Sequence, residues 1–387
     1  MPDDEAIMRD ALRLARRGYG TTSPNPMVGA ILVNGGRVIG RGWHRCAGQP
    51  HAEIEALRDA ERKHESVRGA TLYVTLEPCS THGRTPPCTD ALITAGVKRV
   101  IAGATDPNPR HAGHGFQLLR RAGIQVGCGI LESDCTKLNE AFNHWIVHST
   151  PFVTVKAAMT MDGRIATSTG ESKWITGECA RTEGMRLRQG ADAILVGINT
   201  ILADNPSLTF RRDAAHRFPF SRSNGERPPL REPGHVLRRI ILDSRARTPL
   251  NSKILTDPHH YLTTIVVSPA APKSKVTALA IRANVLTAPV KKGRLDLRWL
   301  VKKLGSENVS SLLVEGGGEV NASFLFSGLA HRIAFFYAAM ILGGRDSLSA
   351  VAGPGVTSLT QRLKLTDVLW RTLGPDLLLT ASLSESP

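Results

Sequence analysis

Two segments carry the sharpest signal in this sequence: His51-Ala52-Glu53, and EPCSTHGRTPPC at residues 77–88. Good helix formers follow His51, so a helix starting there places His51 and Glu53 in one turn, facing one pocket. Zinc prefers imidazole nitrogen and thiolate sulfur, and a catalytic zinc keeps its fourth position for water. His51, Cys79 and Cys88 supply three such ligands. We therefore predict one catalytic Zn²⁺, with Glu53 as a proton carrier that is not a ligand.

The spacing of the two cysteines departs from the best-known pattern. His-x-Glu followed by Pro-Cys is a signature of zinc enzymes that deaminate nucleobases, and there two residues separate the cysteines. Here eight residues separate Cys79 from Cys88, so the insert must loop out and return the second thiolate. Two other interpretations stay open: a structural zinc site, for which a fourth protein ligand is not obvious, and a chance grouping of these residues.

Length and composition limit the classes of protein to which this chain can belong. A chain of 387 residues exceeds one typical core, which predicts two domains. Hydrophobic residues make up 41% and charged residues 21%, as in soluble globular proteins. No apolar run reaches the ~18 residues of a transmembrane helix, and the acidic N-terminus does not resemble a secretory signal. We expect a cytoplasmic protein without membrane association, whose six cysteines form no disulfide framework.

The net charge of +15 raises the question of nucleic-acid binding. Lys and Arg outnumber Asp and Glu by 3 in residues 1–150 (18 against 15) but by 11 in residues 201–300 (18 against 7). The excess therefore lies away from the zinc pattern, partly in a Pro/Arg-rich stretch at 211–233. This distribution favours a solvated basic surface, or attraction of phosphorylated small molecules, over a nucleic-acid partner.

Hydrophobic periodicity predicts an α/β layer architecture in both halves. In the first half the expected helices are 4–17, 51–65, 87–95 and 115–122, and the expected strands are 27–33, 38–39, 70–76, 98–102 and 124–126. A boundary near residues 148–151 separates domains 1–148 and 149–387. In the second half we expect strands at 152–157, 193–196, 240–242, 263–267, 312–314 and 333–337, helices at 178–189 and after Gly318, and a long surface loop at 211–235.

Three long motifs in the first half have a family likeness. PNPMVG at 24–29, EPCSTHGRTPPC at 77–88 and DPNP at 106–109 closely resemble the deaminase half of the bifunctional deaminase/reductases of riboflavin biosynthesis. The resemblance implies a cytidine-deaminase-like three-layer α/β domain, with Arg84 and Thr85 on the ribose phosphate of the substrate. It also implies contacts to the base and sugar by Asn25, His44, Asp106 and Asn108.

Part of this carry-over stays open. Asn25 lies between two prolines and could simply be part of a turn. His44 could likewise be a half-buried histidine in a turn. That family usually has His directly after Cys-Ser, whereas this chain has Thr81. A substrate contact is therefore lost or shifted, and none is assigned to Thr81.

The second half contains no G-x-G-x-x-G, which argues against a Rossmann cofactor site. Its motifs VKA at 155–157, MDGR at 161–164, GESKWIT at 170–176 and LADNPSLT at 202–209 resemble the reductase half of the same family, which is similar to dihydrofolate reductase in fold and uses NADPH. The resemblance implies NADPH contacts by Ala158, Trp174, Thr200, Asp204, Gly317, Gly318, Glu319, Val320, Asn321, Ala322 and Ser323. It implies contacts to the reductase substrate by Lys156, Ser172, Arg188, Leu208, Arg211 and Glu315.

The residues themselves support this set unevenly. Three glycines between a strand and a helix let backbone N–H groups approach a phosphate, but they also suit an ordinary tight turn. Two of these residues have an alternative interpretation. Lys156 could be a surface lysine whose aliphatic stem covers apolar residues, and Trp174 could be a core residue.

The combined prediction is an enzyme with two successive activities. Zinc-dependent hydrolytic deamination of a diamino-pyrimidinone ribosylamine phosphate precedes NADPH-dependent reduction of its sugar to a ribityl chain. The expected partners are this phosphorylated pyrimidine and further copies of the chain, with no nucleic acid and no membrane. Two alternatives stay open: a tRNA-type nucleic-acid deaminase, which needs a basic, aromatic-bearing face, and a zinc-stabilised binding module without turnover.

Overall fold

The computed structural model describes residues 3–81, 86–210 and 237–384. These residues form two compact units, one up to Ser149 and one from Thr150. Four predictions fall outside them: the contacts expected for Arg84, Thr85 and Arg211, and the surface loop at 211–235. None of the described helices is long and apolar enough to cross a membrane.

The first unit is a five-stranded sheet in the order β2-β1-β3-β4-β5, in which β1 is antiparallel to both neighbours and β3, β4 and β5 are parallel. Its strands are β1 Gly29–Asn34, β2 Arg37–Trp43, β3 Thr71–Leu76, β4 Arg99–Ala104 and β5 Gln125–Cys128. Its helices are α1 Asp4–Ala15, α2 Ala52–Arg62, α3 Cys88–Thr94, α4 His114–Arg121, α5 Glu132–Leu138 and α6 Glu140–His148. A 3₁₀ helix, Arg16–Gly18, follows α1.

Two apolar clusters give this unit its three layers. Alternate strand residues point to opposite faces of a sheet. On β3, Leu72 and Val74 therefore pack against α2, α3 and α4 on one face. Tyr73 points to the other face and lies in the other cluster, with residues of α1 and α5. The three-layer arrangement is the one predicted, whereas the sequence patterns did not identify α5 and α6.

The start of α2 is fixed by its close packing on β2. A Cβ atom at Gly42 would lie 2.2 Å from the carbonyl oxygen of Ala52, so only glycine lets the helix backbone rest on the strand. This contact holds the first turn of α2, and with it His51, directly over the sheet.

The second unit contains a nine-stranded sheet in the order β11-β10-β9-β8-β14-β6-β15-β18-β17. The strands of this unit are β6 Phe152–Thr160, β7 Arg164–Ala166, β8 Ala193–Gly197, β9 Arg238–Leu242, β10 Thr263–Val267, β11 Asn284–Thr287, β12 Val290–Lys291, β13 Arg294–Leu295, β14 Ser311–Val314, β15 Arg332–Ala338, β16 Leu348–Ser349, β17 Leu365–Leu373 and β18 Asp376–Leu383. The helices are α7 Glu178–Gln189, α8 Ile198–Asp204, α9 Lys253–Thr256, α10 Lys273–Ala280, α11 Leu297–Ser306 and α12 Gly318–Phe326, with 3₁₀ helices His260–Leu262 and Leu359–Gln361.

Seven neighbouring strands of this sheet, from β11 to β15, are parallel, and only β17 and β18 run antiparallel to their neighbours. Parallel strands are covered on both faces, and all five residues of β8 are buried. Leu195 packs in the cluster on one face, and Ile194 and Val196 in the cluster on the other. The carboxyl ends of the parallel strands therefore meet at one edge of the sheet, where ligands bind in open α/β sheets.

Candidate active sites

The three predicted zinc ligands come together in the first unit. His51 precedes α2, Cys79 follows β3, and Cys88 begins α3. The Nδ1 atom of His51 lies 3.5 Å from Cys79 Sγ and 3.4 Å from Cys88 Sγ. A tetrahedral zinc with bonds of about 2.0 Å to nitrogen and 2.3 Å to sulfur holds these atoms about 3.6 Å apart. The triangle therefore fits zinc, and it is the one such group of ligands within the described parts of the chain.

The charges around this triangle suit thiolate ligands and a proton carrier. A hydrogen bond from Cys88 and the neighbouring His51 outweigh burial and lower the pKa of the Cys79 thiol. Glu53 is only 3% exposed, and burial, together with Cys79, raises the pKa of its carboxyl to about 7. A buried carboxyl that titrates near neutral pH can both accept and return a proton.

Asn25 and His44 form a hydrogen-bonded pair beside the zinc ligands. The Nδ1–H group of His44 donates to the Pro50 carbonyl at 3.1 Å, because a carbonyl can only accept. The other ring nitrogen then accepts from Asn25 Nδ2 at 3.1 Å. Burial lowers the pKa of His44, which keeps the ring neutral. The His44 ring lies edge-on to His51, with 5.3 Å between ring centroids, so the predicted base contacts border the zinc site.

Asp106 lies beside Cys79, and Asn108 is hydrogen-bonded to Asp106. A small cavity of about 40 Å³ is lined by Cys79, Ser80, Thr81, Asp106 and His111, together with Glu77 and Pro78. Burial raises the pKa of the Asp106 carboxyl, whose oxygen accepts from the backbone N–H of Asn108 at 2.9 Å. Sequence reasoning missed Glu77 and His111, although Glu77 directly precedes Pro78-Cys79.

In the second unit, three of the predicted substrate contacts form a buried ion cluster. Glu315 follows β14, and its two carboxylate oxygens accept from Arg188 at 2.9 Å each, while Lys156 Nζ lies 3.5 Å away. Burial alone would raise the pKa of Glu315, but the charges of Arg188 and Lys156 lower it to about 2. Lys156 thus faces a buried carboxylate rather than solvent, and Arg188 also holds the carbonyl of Thr209 at 3.2 Å.

The other predicted contacts of this domain differ in exposure, and the side chain of one is buried. Ser172 donates to Asp204 at 3.2 Å, which joins a predicted substrate contact to a predicted cofactor contact. Trp174 is 74% exposed, so the alternative of a core tryptophan is wrong. The side chain of Leu208 is buried in the core, so only its backbone is available to a ligand.

The glycine turn before α12 has one open position. A Cβ atom at Gly318 would lie 2.3 Å from the Ser349 carbonyl oxygen, whereas one at Gly317 would meet no atom within 4 Å. The packing of the chain therefore does not require glycine at 317, and the missing side chain leaves room for a ligand phosphate at the helix N-terminus. Further along this segment the side chains of Asn321 and Ala322 are buried, and Asn321 donates to the Ala350 carbonyl at 2.8 Å.

A basic cavity at the same sheet edge was not predicted from sequence. It has a volume of about 490 Å³ and lies where β9 and β10 end. Its polar wall includes Ser244, Arg245, Arg247, Ser268 and Lys275. The excess positive charge of residues 201–300 was the available signal, but charge counting alone could not place these cations in one cavity.

Each half of the chain matches a known protein family. Residues 1–104 match the cytidine and deoxycytidylate deaminase zinc-binding region, and residues 151–379 match the RibD C-terminal domain. The riboflavin biosynthesis protein RibD of Actinobacillus pleuropneumoniae is 40% identical over 97% of this chain and 94% of its own length. That of Escherichia coli K12 is 39% identical over 97% and 98%.

Solved structures agree over the same length. Acinetobacter baumannii RibD superposes with a TM-score of 0.82 at 35% identity, covering 98% of this chain and 99% of that one. A deaminase/reductase from Thermotoga maritima gives a TM-score of 0.78 at 33% identity, covering 98% of each chain.

A zinc-binding deaminase domain joined to a reductase domain of the NADPH-binding type defines a bifunctional deaminase/reductase. The predicted fold classes of both domains are thereby confirmed. The chain belongs to the family of the riboflavin biosynthesis protein RibD.

Proposed function

We propose that this chain catalyses two consecutive steps of riboflavin biosynthesis. Residues 1–148 deaminate a diamino-pyrimidinone ribosylamine phosphate, and residues 149–387 reduce the sugar of the resulting aminouracil with NADPH. The observation that carries the first step is the zinc-sized triangle of His51, Cys79 and Cys88 beside the buried carboxyl of Glu53. The match to a deaminase/reductase over 98% of each chain supports the pairing of the two steps.

In the deaminase domain, the chain's own residues bind the base and move protons. Zinc, when bound, supplies Lewis-acid activation of water at neutral pH. Glu53 would carry one proton from the attacking water to the ring nitrogen and the second to the leaving amine, which departs as ammonia. Asn25 and His44 contact the base from one side, and Asp106 and Asn108 from the other. Arg84 and Thr85 hold the ribose phosphate, for which a guanidinium offers forked donors.

In the reductase domain, NADPH supplies the hydride for C1′ of the ribose, and the protein orients the two partners. The cluster of Lys156, Arg188 and Glu315 carries two positive charges and one negative, so it presents a net positive charge to an anionic substrate. The remaining substrate contacts come from Ser172, from Arg211 and from the backbone of Leu208. Ala158, Trp174, Thr200, Asp204 and the segment 317–323 contact the cofactor, the buried Asn321 and Ala322 through their backbone.

The basic cavity at the ends of β9 and β10 takes a phosphate of the cofactor. Arg245, Arg247 and Lys275 can pair with a phosphate, and hydroxyls of Ser244 and Ser268 can donate to it. The cavity lies at the same sheet edge as the glycine turn, because β8, β9 and β14 share a direction. If the phosphate is the one that distinguishes NADPH from NADH, Arg245→Ala raises the KM for NADPH and leaves that for NADH unchanged. Equal changes in both would contradict this placement.

Location and assembly are part of the same proposal. The protein acts in the cytoplasm, on small phosphorylated pyrimidines and not on nucleic acid, and it forms homo-oligomers. The edge strand β17 supports self-association, because among the described residues it pairs with β18 alone and leaves Val368, Leu369 and Trp370 each more than half exposed. Sedimentation of the wild type and of Trp370→Glu tests this. A wild-type monomer at micromolar concentration would refute it.

One coupled assay tests the two-step function. The deaminase substrate is generated from GTP by a GTP cyclohydrolase, and ammonia release and NADPH absorbance are followed together. Ammonia release followed by NADPH oxidation supports both steps. Ammonia without NADPH oxidation limits the proposal to the first domain. If neither signal appears with zinc bound, the substrate is wrong, and a nucleic-acid deaminase or a binding module without turnover becomes the better hypothesis.

A further inference from the structure

Glu77 is a buried carboxylate that makes four hydrogen bonds to one loop. It follows β3 directly, two residues before Cys79, and is 6% exposed. Its Oε2 atom accepts from the backbone N–H groups of Asp106 at 3.1 Å and Gly113 at 2.9 Å. Its Oε1 atom accepts from those of Gly115 at 2.9 Å and Phe116 at 3.3 Å. The side chain thus ties the segment 106–116 to the segment that carries a zinc ligand.

A carboxylate is the side chain that suits this position. Four inward-pointing N–H groups need four acceptor lone pairs, and an ionised carboxyl group offers about that number. A glutamine offers one carbonyl oxygen, and its NH₂ group would face two further donors. The two segments are also packed backbone to backbone, since a Cβ atom at Gly115 would lie 2.2 Å from the Pro78 carbonyl oxygen. The contact therefore leaves little room for a water molecule to replace the carboxylate.

The segment that Glu77 holds forms one wall of the cavity beside Cys79. Asp106 and His111 line that cavity together with residues 77–81. The segment is folded on itself by Asp106, which accepts from the Asn108 N–H at 2.9 Å, and by Asn108, whose side chain accepts from the Arg110 N–H at 3.1 Å. Because these bonds make the segment one unit, its distance from the zinc ligands depends on the four bonds to Glu77.

We propose that Glu77 is a positioning residue of the deaminase, which sets Asp106 and the adjoining Asn108 at the distance from the zinc ligands that the pyrimidine substrate requires. This inference rests on the proposed substrate contacts of Asp106 and Asn108. Glu77 also lines the cavity, but both of its carboxylate oxygens are engaged by the loop, so in this proposal it acts through the loop and not as a ligand of substrate or metal. It acts on substrate binding through the loop, and Glu53 and the three ligands keep their own contacts when Glu77 is changed.

The test is Glu77→Gln in the full-length zinc protein, with Glu5→Gln as the matched control. Glu5 lies in the same unit, carries the same charge and pairs with Arg9 on the surface. We expect Glu77→Gln to raise the KM for the deaminase substrate roughly tenfold or more, since about two charge-assisted hydrogen bonds are lost. The kcat should change less than KM. Zinc content and the rate of the reductase domain, which serves as an internal control, should stay at wild-type values.

The outcomes separate positioning from a purely structural role. Partial unfolding would lower the active fraction, and so kcat, without changing KM. A fall in kcat with loss of zinc and an unchanged KM would therefore overturn the proposal. Amide hydrogen exchange gives a second measurement: Glu77→Gln should speed exchange at residues 106–116 and leave β1 protected. Unchanged exchange at 106–116 would also overturn it.

Asn108→Ala separates this inference from the proposed function. If Asn108→Ala raises KM and Glu77→Gln does not, the loop contacts substrate but does not depend on Glu77. If Asn108→Ala leaves KM unchanged while the coupled assay still shows ammonia release, the substrate contact itself is wrong, and the positioning role is refuted with it.

Discussion

Replacement of Glu315 by glutamine should destabilise the second unit in a way that depends on pH. Charges of Arg188 and Lys156 outweigh burial and lower the pKa of the Glu315 carboxyl from 4.5 to about 2. The side chain is 9% exposed, so solvent screens these charges little. The difference between the two pKa values corresponds to about 3 kcal/mol of unfolding free energy at neutral pH.

The direction of the pH dependence follows from proton binding. Between pH 4.5 and about 2, the unfolded chain holds a proton on Glu315 that the folded chain does not. The stabilisation is therefore complete above pH 4.5 and is lost as the pH falls towards 2. Glutamine imitates the protonated residue. The variant should be about 3 kcal/mol less stable at pH 7, and the gap to wild type should shrink progressively below pH 4.5.

Urea denaturation at pH 7, 5, 4 and 3 measures this gap, with proteolysis and peptide mass spectrometry to assign each transition to a unit. Glu307→Gln is the matched control, because Glu307 pairs with Arg238 in the same unit but is 34% exposed. Its loss should cost about 1 kcal/mol or less. A gap for Glu315→Gln that does not change with pH, or that is no larger than the control, would refute the reasoning.

Three further outcomes are expected. Glu53→Ala should still bind zinc, because Glu53 is not a ligand, but it should no longer release ammonia. Metal analysis and an ammonia assay measure the two effects, and a wild-type rate of ammonia release would exclude Glu53 as the proton carrier. Gly317→Val should weaken NADPH binding by filling the open side of the glycine turn, with deamination unchanged; fluorescence titration measures the Kd for NADPH, and an unaltered Kd would show that the turn does not bind the cofactor. Arg239→Met should lower the unfolding free energy by about 3–5 kcal/mol, because Asp257 loses its ion-pair partner and three backbone carbonyls lose a hydrogen-bond donor. Urea denaturation measures this loss, and a value below about 1 kcal/mol would contradict the prediction.

Local chemistry explains why the zinc site was predictable. The ligands lie at element ends that the sequence marks clearly: His51 before a run of helix formers, and Cys79 after the apolar strand β3. Strands such as β10 were also found, because buried parallel strands are short apolar runs. The hairpin of β17 and β18 was not identified, although each strand holds a short apolar run. β17 is largely exposed, and β18 joins the sheet through β15, which lies 40 to 50 positions earlier in the chain.

The parts that were missed are those made by tertiary contacts. In the sequence, nothing distinguishes Glu77 except its place two residues before a zinc ligand. Its role depends on four backbone N–H groups that lie 29 to 39 positions further along the chain. The basic cavity likewise combines residues after β9 with residues after β10. Leu208 lies within a recognisable motif, yet the motif could not show that its side chain packs in the core.

The position of β18 in the second sheet has a consequence for synthesis on the ribosome. The strands of the first unit are all available once residue 128 has emerged, so this unit can fold while the rest is translated. β18 lies between β15 and β17, so β15 keeps an unpaired edge until residues 376–383 are released. A nascent chain stalled before this point would carry a complete zinc domain tethered to an open sheet edge, which is a template for aggregation.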